Sequence, residues 1–390
     1  MINYDNIVST TIKNTKPSGI RKFFDIAANV EDAISLSIGE PDFQTPWIIR
    51  QAAISSLEKG KTKYTANAGL APLRKEIADY LERKINVQYN PNAEIIVTVG
   101  GSEAIDASLR ALINPGDEVI IPQPSFVCYV PLVELAGGKA VIIETKVEDE
   151  FRLTAKELKE KITDKTKAVI LPFPNNPTGA VMEKQHLEEI AQVLRDTDIM
   201  VISDEIYSEL TYGINHTSIA SIDSMKERTI IINGFSKAFS MTGWRLGYTA
   251  GPAPLIEQIL KIHQYGIMSS PTMSQYAAIE ALKSCEDDVR QMAEEYEMRR
   301  NFVVDSFNKM GLTCFMPKGA FYVFPCIKSS GLSSEEFCER LLNEQKVAVI
   351  PGAAFGMSGE GFIRVSYAYS VNHLNIALKR IESFLDSLKG

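Results

Sequence analysis

The stretch TIIINGFSKAFSMTGWRLGY, Thr229–Tyr248, decides how this chain is read. Its β-branched opening has the composition of a buried strand. The run gives out at Asn233 and Gly234, and the next charged residue is Lys237, set among small and hydroxyl side chains. A lysine in an ordinary surface loop needs no such setting. A lysine just past the carboxyl end of a strand, held partly desolvated, can be neutral and attack a carbonyl carbon. Small neighbours also let a flat ring approach the backbone. Arg245 follows closely, and its fixed guanidinium fork matches phosphate oxygens.

Outward from this stretch, residues 90–250 alternate short apolar runs with helical patterns. Glu94–Val99, Glu118–Ile121, Ala140–Glu144, Ala168–Leu171, Met200–Ser203 and Thr229–Asn233 read as strands. Ser102–Leu112, Ser125–Ala136 and Glu183–Leu194 read as helices. Repeated βα units predict an α/β fold with a mostly parallel sheet and helices on both faces, its ligands beyond the carboxyl ends of the strands. After about residue 285 the pattern changes. A long charged helix, Asp287–Met310, precedes short strands at Ala320–Phe324, Ala348–Ile350 and Phe362–Tyr367, and a last helix covers Asn372–Leu388. The reading is a large domain, 46–285, and a smaller α+β domain, 286–390, with residues 1–45 packed against it.

Composition narrows the function. The 390 residues are 45% hydrophobic and 23% charged, a globular balance. The net charge is −8 and no basic block stands out, which argues against a nucleic-acid partner. No apolar run is long enough for a membrane span, and the N-terminal stretch lacks the layout of a signal peptide. Cys128, Cys285, Cys314, Cys326 and Cys338 are scattered, without CxxC spacing, which suits free thiols in a reducing cytoplasm. With four histidines and no HExxH pattern, no metal site is expected.

Three further stretches carry chemistry-bearing residues. In VTVGGSEAI, Val97–Ile105, a strand ends in two glycines and opens a helix at Ser102, a turn that can bind an anion or simply join two elements. In VISDEIYSELTY, Val201–Tyr212, Asp204 falls where a strand ends, as a helix cap or as a carboxylate facing a protonated ring nitrogen, with Tyr207 one turn on. In PFPNNPTGA, Pro172–Ala180, prolines stiffen a loop around Asn176, which is either a rigid turn or a fixed amide donor. An anion site, a carboxylate, an amide, a reactive lysine and a clamp arginine at strand ends together describe a site for pyridoxal phosphate.

On these residues the chain resembles the fold-type I pyridoxal-phosphate enzymes of the class I/II aminotransferase group, and looks most like the prokaryotic aspartate/aromatic aminotransferases. The likeness runs from PSGIRKF (Pro17–Phe23) through SIGEPDFQTP (Ser37–Pro46) to FIRVSYA (Phe362–Ala368), and SKAFSMTGWRLGY with PNNPTG is its most specific part. The resemblance implies the aspartate aminotransferase fold, with a seven-stranded sheet in the large domain. It implies that Lys237 forms the Schiff base and moves the proton, and that Asp204 pairs with the ring nitrogen. Tyr207 and Asn176 would bond the ring hydroxyl oxygen, and Phe126, in PQPSFVCY, would stack on the ring. Gly101, Ser102, Ser236 and Arg245 would hold the phosphate, and Arg364 the substrate α-carboxylate beside Gly39. Tyr64, in KYTANAGL, would reach the phosphate of the partner subunit, which makes a homodimer with shared sites.

The chain departs from the family's pattern twice. Gly234 stands where many members have a hydroxyl residue that contacts phosphate, and Ser236 is the candidate to compensate. Ser102 stands where some aspartate aminotransferases have a lysine that can meet a side-chain carboxylate, which shifts the expected amino donor toward aromatic or hydrophobic amino acids. The expected activity is transfer of an amino group from an aromatic or aspartate-like L-amino acid to a 2-oxo acid such as 2-oxoglutarate. A β-eliminating C–S lyase on the same fold is the alternative. A transcription regulator on this fold would need an added DNA-binding domain, for which the sequence leaves no room. The segment Gly19–Phe24 is expected to close over the substrate.

Overall fold

A computed structural model describes residues 2–17, 19–20 and 30–389. Its strands are β1 (Ile34–Ser35), β2 (Ile95–Thr98), β3 (Glu118–Gln123), β4 (Lys139–Glu144), β5 (Thr166–Leu171) and β6 (Met200–Asp204). They continue with β7 (Thr229–Gly234), β8 (Gly247–Ala250), β9 (Tyr322–Val323), β10 (Val347–Ala348), β11 (Ile350–Pro351) and β12 (Ile363–Ser366).

A seven-stranded sheet in the order β2-β8-β7-β6-β5-β3-β4 forms the large layer. The run from β7 to β4 is parallel, and β8 is antiparallel to both of its neighbours. Side chains leave a strand alternately on opposite faces, and here the two faces feed separate cores. Ile95, Val97, Val169, Val201 and Ile231 join one apolar cluster, whereas Ile96, Ile170, Ile202, Ile230 and Ile232 join the other. Burial on both faces is why these strands read as continuous apolar runs.

The sequence reading did not include β8, and the reason is local. β8 opens on a glycine and reads GYTA, with no run of β-branched apolar residues, and it turns back antiparallel to β7. The helix read as Ser125–Ala136 begins at Tyr129, because Ser125 donates its backbone N–H to Phe355 O at 3.1 Å and is held by a distant loop. The strand read as Ala348–Ile350 is two strands, in different sheets, and that at Ala320–Phe324 shortens to β9. Helices at Trp47–Glu58, Ala71–Ile85, Ala253–Gly266, Thr272–Ser284 and Ser334–Gln345 were not singled out from the sequence.

The smaller layer holds a three-stranded antiparallel sheet, β11-β12-β9, and the parallel pair β1-β10. The Ile34–Val347 and Ser35–Ala348 pairing ties the N-terminal stretch to this layer. The long helix Glu286–Lys309 packs against β9 and against the last helix, Val371–Ser387. Among the described residues no helix is long and apolar enough to cross a membrane, and the cysteines are free. Of the segment expected to close over the substrate, Gly19 and Ile20 are described, and residues 21–24 lie outside the described residues.

Candidate active site

β2, β6 and β7 end at the same rim of the large sheet, and the site is assembled there. After β2 the chain turns through Gly100, whose φ of 78° suits glycine. A helix then begins at Gly101 and presents its free amides to the rim. Thr98 Oγ1 donates to Gly100 O at 3.0 Å. The Val99 N–H donates to the Glu103 carboxylate, whose other oxygen meets His263 Nδ1 at 2.5 Å. Arg245 lies against this turn: a Cβ on Gly100 would come within 3.1 Å of Arg245 Nη2.

Asp204, the last residue of β6, is 7% exposed. Its Oδ2 accepts from Tyr129 Oη at 2.7 Å and its Oδ1 from the Ile206 N–H at 3.2 Å. Burial pushes the Asp204 carboxyl up to about 6, against the pull of those two donors. The Phe126 ring meets Tyr129 edge-on, with centroids 6.1 Å apart. Lys237 Nζ donates to Gly39 O at 2.7 Å. Burial brings the Lys237 ammonium down to about 8, with Glu40 opposing the shift and Arg364 and Arg245 adding to it. Its Nζ stands 5.8 Å from the ring centres of both Tyr207 and Phe321.

Arg364, on β12, faces this cluster from the smaller layer and is 2% exposed. Its Nη1 donates to Asn176 Oδ1 at 2.9 Å and its Nη2 donates to Ser37 O. The guanidinium lies between two rings, 4.6 Å from the centre of Tyr322 and 4.9 Å from that of Phe355. Tyr322 Oη sits 2.8 Å from Tyr207 Oη. It also lies where a side chain on residue 39 would go, since a Cβ on Gly39 would be 2.3 Å from that oxygen.

Between the layers is a cavity of about 350 Å³. Gly39, Gly101, Ser102, Phe126, Asn176, Asp204, Tyr207, Ser236, Lys237, Arg245 and Arg364 all line it. Tyr64 does not line it and is 82% exposed, so within one chain the structure does not bring it to the site. Sequence reasoning missed Tyr129, Tyr322 and Glu40, which also line the cavity, and Ser37 and Phe355, which brace Arg364. Tyr129 closes the quoted stretch PQPSFVCY and Glu40 falls within SIGEPDFQTP, but nothing local marks either as a partner of Asp204 or Lys237.

The charges fit pyridoxal phosphate and an amino acid. Among the described residues no ion pair reaches Asp204, Arg245 or Arg364, and Arg364 Nε is buried without a partner. Asp204 and Arg364 are buried, where an unpaired charge is unfavourable unless a ligand completes it, whereas Arg245 is exposed at the mouth of the cavity. A protonated ring nitrogen would answer Asp204, a phosphate would answer Arg245 beside the helix N-terminus, and a carboxylate would answer Arg364. Asn176, whose oxygen is taken by Arg364, keeps its NH₂ to donate. Gly234 has no room for the hydroxyl residue of many relatives: a Cβ there would lie 2.9 Å from Gly247 Cα.

Residues 31–381 match the family described as aminotransferase class I and II. The chain is 49% identical to an aspartate aminotransferase of Pyrococcus abyssi (strain GE5 / Orsay), over 98% of this chain and 99% of the relative. It is 46% identical to aromatic-amino-acid aminotransferase 2 of Thermococcus litoralis, with the same coverage of 98% and 99%. An aromatic aminotransferase structure from Pyrococcus horikoshii OT3 superposes with a TM-score of 0.90 at 47% identity, covering 95% of this chain and 99% of that one.

Proposed function

Because the chain belongs to the class I and II aminotransferase family, whose cofactor is pyridoxal phosphate, we propose that it takes the amino group of an aromatic L-amino acid in preference to aspartate and passes it to a 2-oxo acid such as 2-oxoglutarate. The observation that carries this reading is the buried, unpaired Asp204 and Arg364 with Arg245 at the cavity's edge, together with the lack, among the described lining residues, of a further cation for a donor's side chain. Among the described residues lining it, the cations are Lys237, Arg245 and Arg364, and each has a use in binding cofactor or α-carboxylate. Ser102, Ile20, Ile38 and Phe126 supply neutral or apolar wall. Relatives named for aspartate and for aromatic substrates both exist, so the donor rests on this wall. Their names support transamination and lend nothing to the β-eliminating alternative.

Arg364 binds the donor's α-carboxylate through its guanidinium fork, which lies close to the rings of Tyr322 and Phe355. Lys237 Nζ, brought toward neutrality by burial, takes the α-hydrogen as a proton and returns it. Asp204, ionised above about pH 6, holds the proton on the ring nitrogen, and Tyr129 keeps its carboxylate aimed. Tyr207 Oη and Asn176 Nδ2 would donate to the ring oxygen, and Phe126 would cover the ring face. Gly101 and Ser102 with Ser236 and Arg245 hold the phosphate. Pyridoxal phosphate supplies the electron sink that spreads the charge left at the α-carbon. The two substrates then react in turn, with ping-pong kinetics.

In this reading the small domain, 1–45 plus 286–390, closes on the large one, 46–285, and excludes water. The enzyme acts in the cytoplasm as a homodimer in which Tyr64 completes the neighbouring site, a role that suits its exposure on the free chain.

The deciding experiment is a visible spectrum of the purified protein before and after phenylalanine, tyrosine, aspartate and alanine, each added separately. A yellow band bleached by the aromatic donors supports the proposal. Bleaching by aspartate alone overturns the donor assignment. A yellow protein that none of the four changes, but which releases pyruvate from a cysteine conjugate, would restore the lyase.

A further inference from the structure

Tyr322 touches both halves of the site and has been given no part in the reaction. It is 1% exposed, on β9, beside β12 and its Arg364. Its ring lies against the Arg364 guanidinium, with Arg364 Cζ 4.6 Å from the ring centre, close enough for a cation–π contact. Its hydroxyl lies 2.8 Å from Tyr207 Oη. One hydrogen bond joins two phenols at that distance, so one must donate and the other accept. Tyr207 needs its own proton for the ring oxygen it faces. Tyr322 is therefore the donor, and an accepted hydrogen bond makes Tyr207 the stronger donor in its turn.

We propose that Tyr322 is a positioning residue with two separable duties: its hydroxyl donates to Tyr207 and strengthens that residue's hold on the cofactor's ring oxygen, while its ring holds Arg364 in place for the α-carboxylate. The inference rests on the cofactor reading above. It adds a residue that acts through its neighbours and links the substrate end of the cavity to the ring.

Two substitutions divide the duties. Tyr322→Phe keeps the ring and removes the hydroxyl, and Tyr322→Leu removes both. The readout besides activity is the pH midpoint at which the bound cofactor's visible band changes colour. For Tyr322→Phe the midpoint is expected to rise by about 0.5 unit, in the direction of Tyr207→Phe but by less, because a weaker donor stabilises the anionic ring oxygen less. kcat should fall roughly fivefold while KM for the donor stays within about twofold. Tyr322→Leu should add a rise in KM of roughly tenfold. The relay requires that Tyr322→Phe shift nothing further in a Tyr207→Phe background.

A band midpoint unmoved in Tyr322→Phe overturns the hydroxyl duty, and so does an equal shift in both backgrounds. A folded Tyr322→Leu protein with unchanged KM overturns the ring duty. If that variant does not fold, Tyr322→Met at the same position provides the KM comparison. A wild-type protein reconstituted with pyridoxal phosphate that shows no band defeats the cofactor reading itself, a result distinct from a band indifferent to residue 322.

Discussion

The cavity has two walls built in different ways. The large-sheet wall presents Asp204, Lys237 and the Gly100–Ser102 turn, each within a few residues of a strand end. The opposite wall presents Arg364 from β12, Ser37 and Gly39 from the N-terminal stretch, and Tyr322 from β9, residues far apart in the chain. On the first wall, groups take their places from the ends of strands already fixed by two apolar cores. On the second, position comes from side chains packed on one another, as Tyr322, Arg364 and Phe355 are. In the proposed reading the first wall holds the cofactor, which stays, and the second the substrate, which must enter and leave.

The division predicts different kinetic signatures. Lys237→Ala should lose roughly four orders of magnitude in kcat, with cofactor still bound and visible in the spectrum. Transamination retained at a tenth of the normal rate would remove the lysine from its role. On the other wall, Arg364→Ala should lower kcat/KM by roughly a thousandfold, chiefly through KM, with the cofactor spectrum unchanged. A large change in the spectrum instead would show that the walls are not separable.

A pH effect sharpens the contrast further. In the cofactor-free protein, burial raises the Asp204 pKa from 3.8 to about 6, so the native state holds this proton more tightly than the unfolded chain does. Its contribution is fully present below about pH 4 and is lost as pH rises through about 6, a change of about 3 kcal/mol. Denaturant midpoints of cofactor-free protein at pH 4.5 and pH 7 should show it, and Asp204→Asn should abolish that difference. Added pyridoxal phosphate should do the same by supplying a cation.

The smallest effect is expected at Gly234. Gly234→Ser restores the family's hydroxyl, but its Cβ would meet Gly247 Cα at 2.9 Å and Leu246 O at 3.0 Å. The variant should be less stable by about 1–3 kcal/mol in thermal unfolding and should bind the cofactor no more tightly. Tighter binding would show that the sheet yields there.

How far the sequence revealed the molecule follows the same division. Asp204, Asn176, Lys237 and Arg245 could be read because strand ends, glycines and prolines mark their surroundings locally. Tyr129 and Tyr322 could not, because each gains its meaning from a partner far away in the chain, Asp204 in one case and Arg364 with Tyr207 in the other. The parallel strands were legible as apolar runs, whereas β8 reads GYTA, opening on a glycine with no apolar β-branched run to stand out. The early start given to the helix at Tyr129 had the same origin, since Phe355, which holds Ser125 out of it, belongs to another layer.

β8 also closes the loop that carries the two proposed grips on the cofactor. Gly234 pairs with Gly247 and Asn233 with Tyr248, so Lys237 and Arg245 stand on one short connection between antiparallel strands. A molecule grasped by both is tethered at two points of a single loop. When one contact breaks, the other keeps it at high effective concentration, and recapture outruns escape. In the proposed reading, Arg245 would thus keep the cofactor from solution whenever Lys237 is not bound to it.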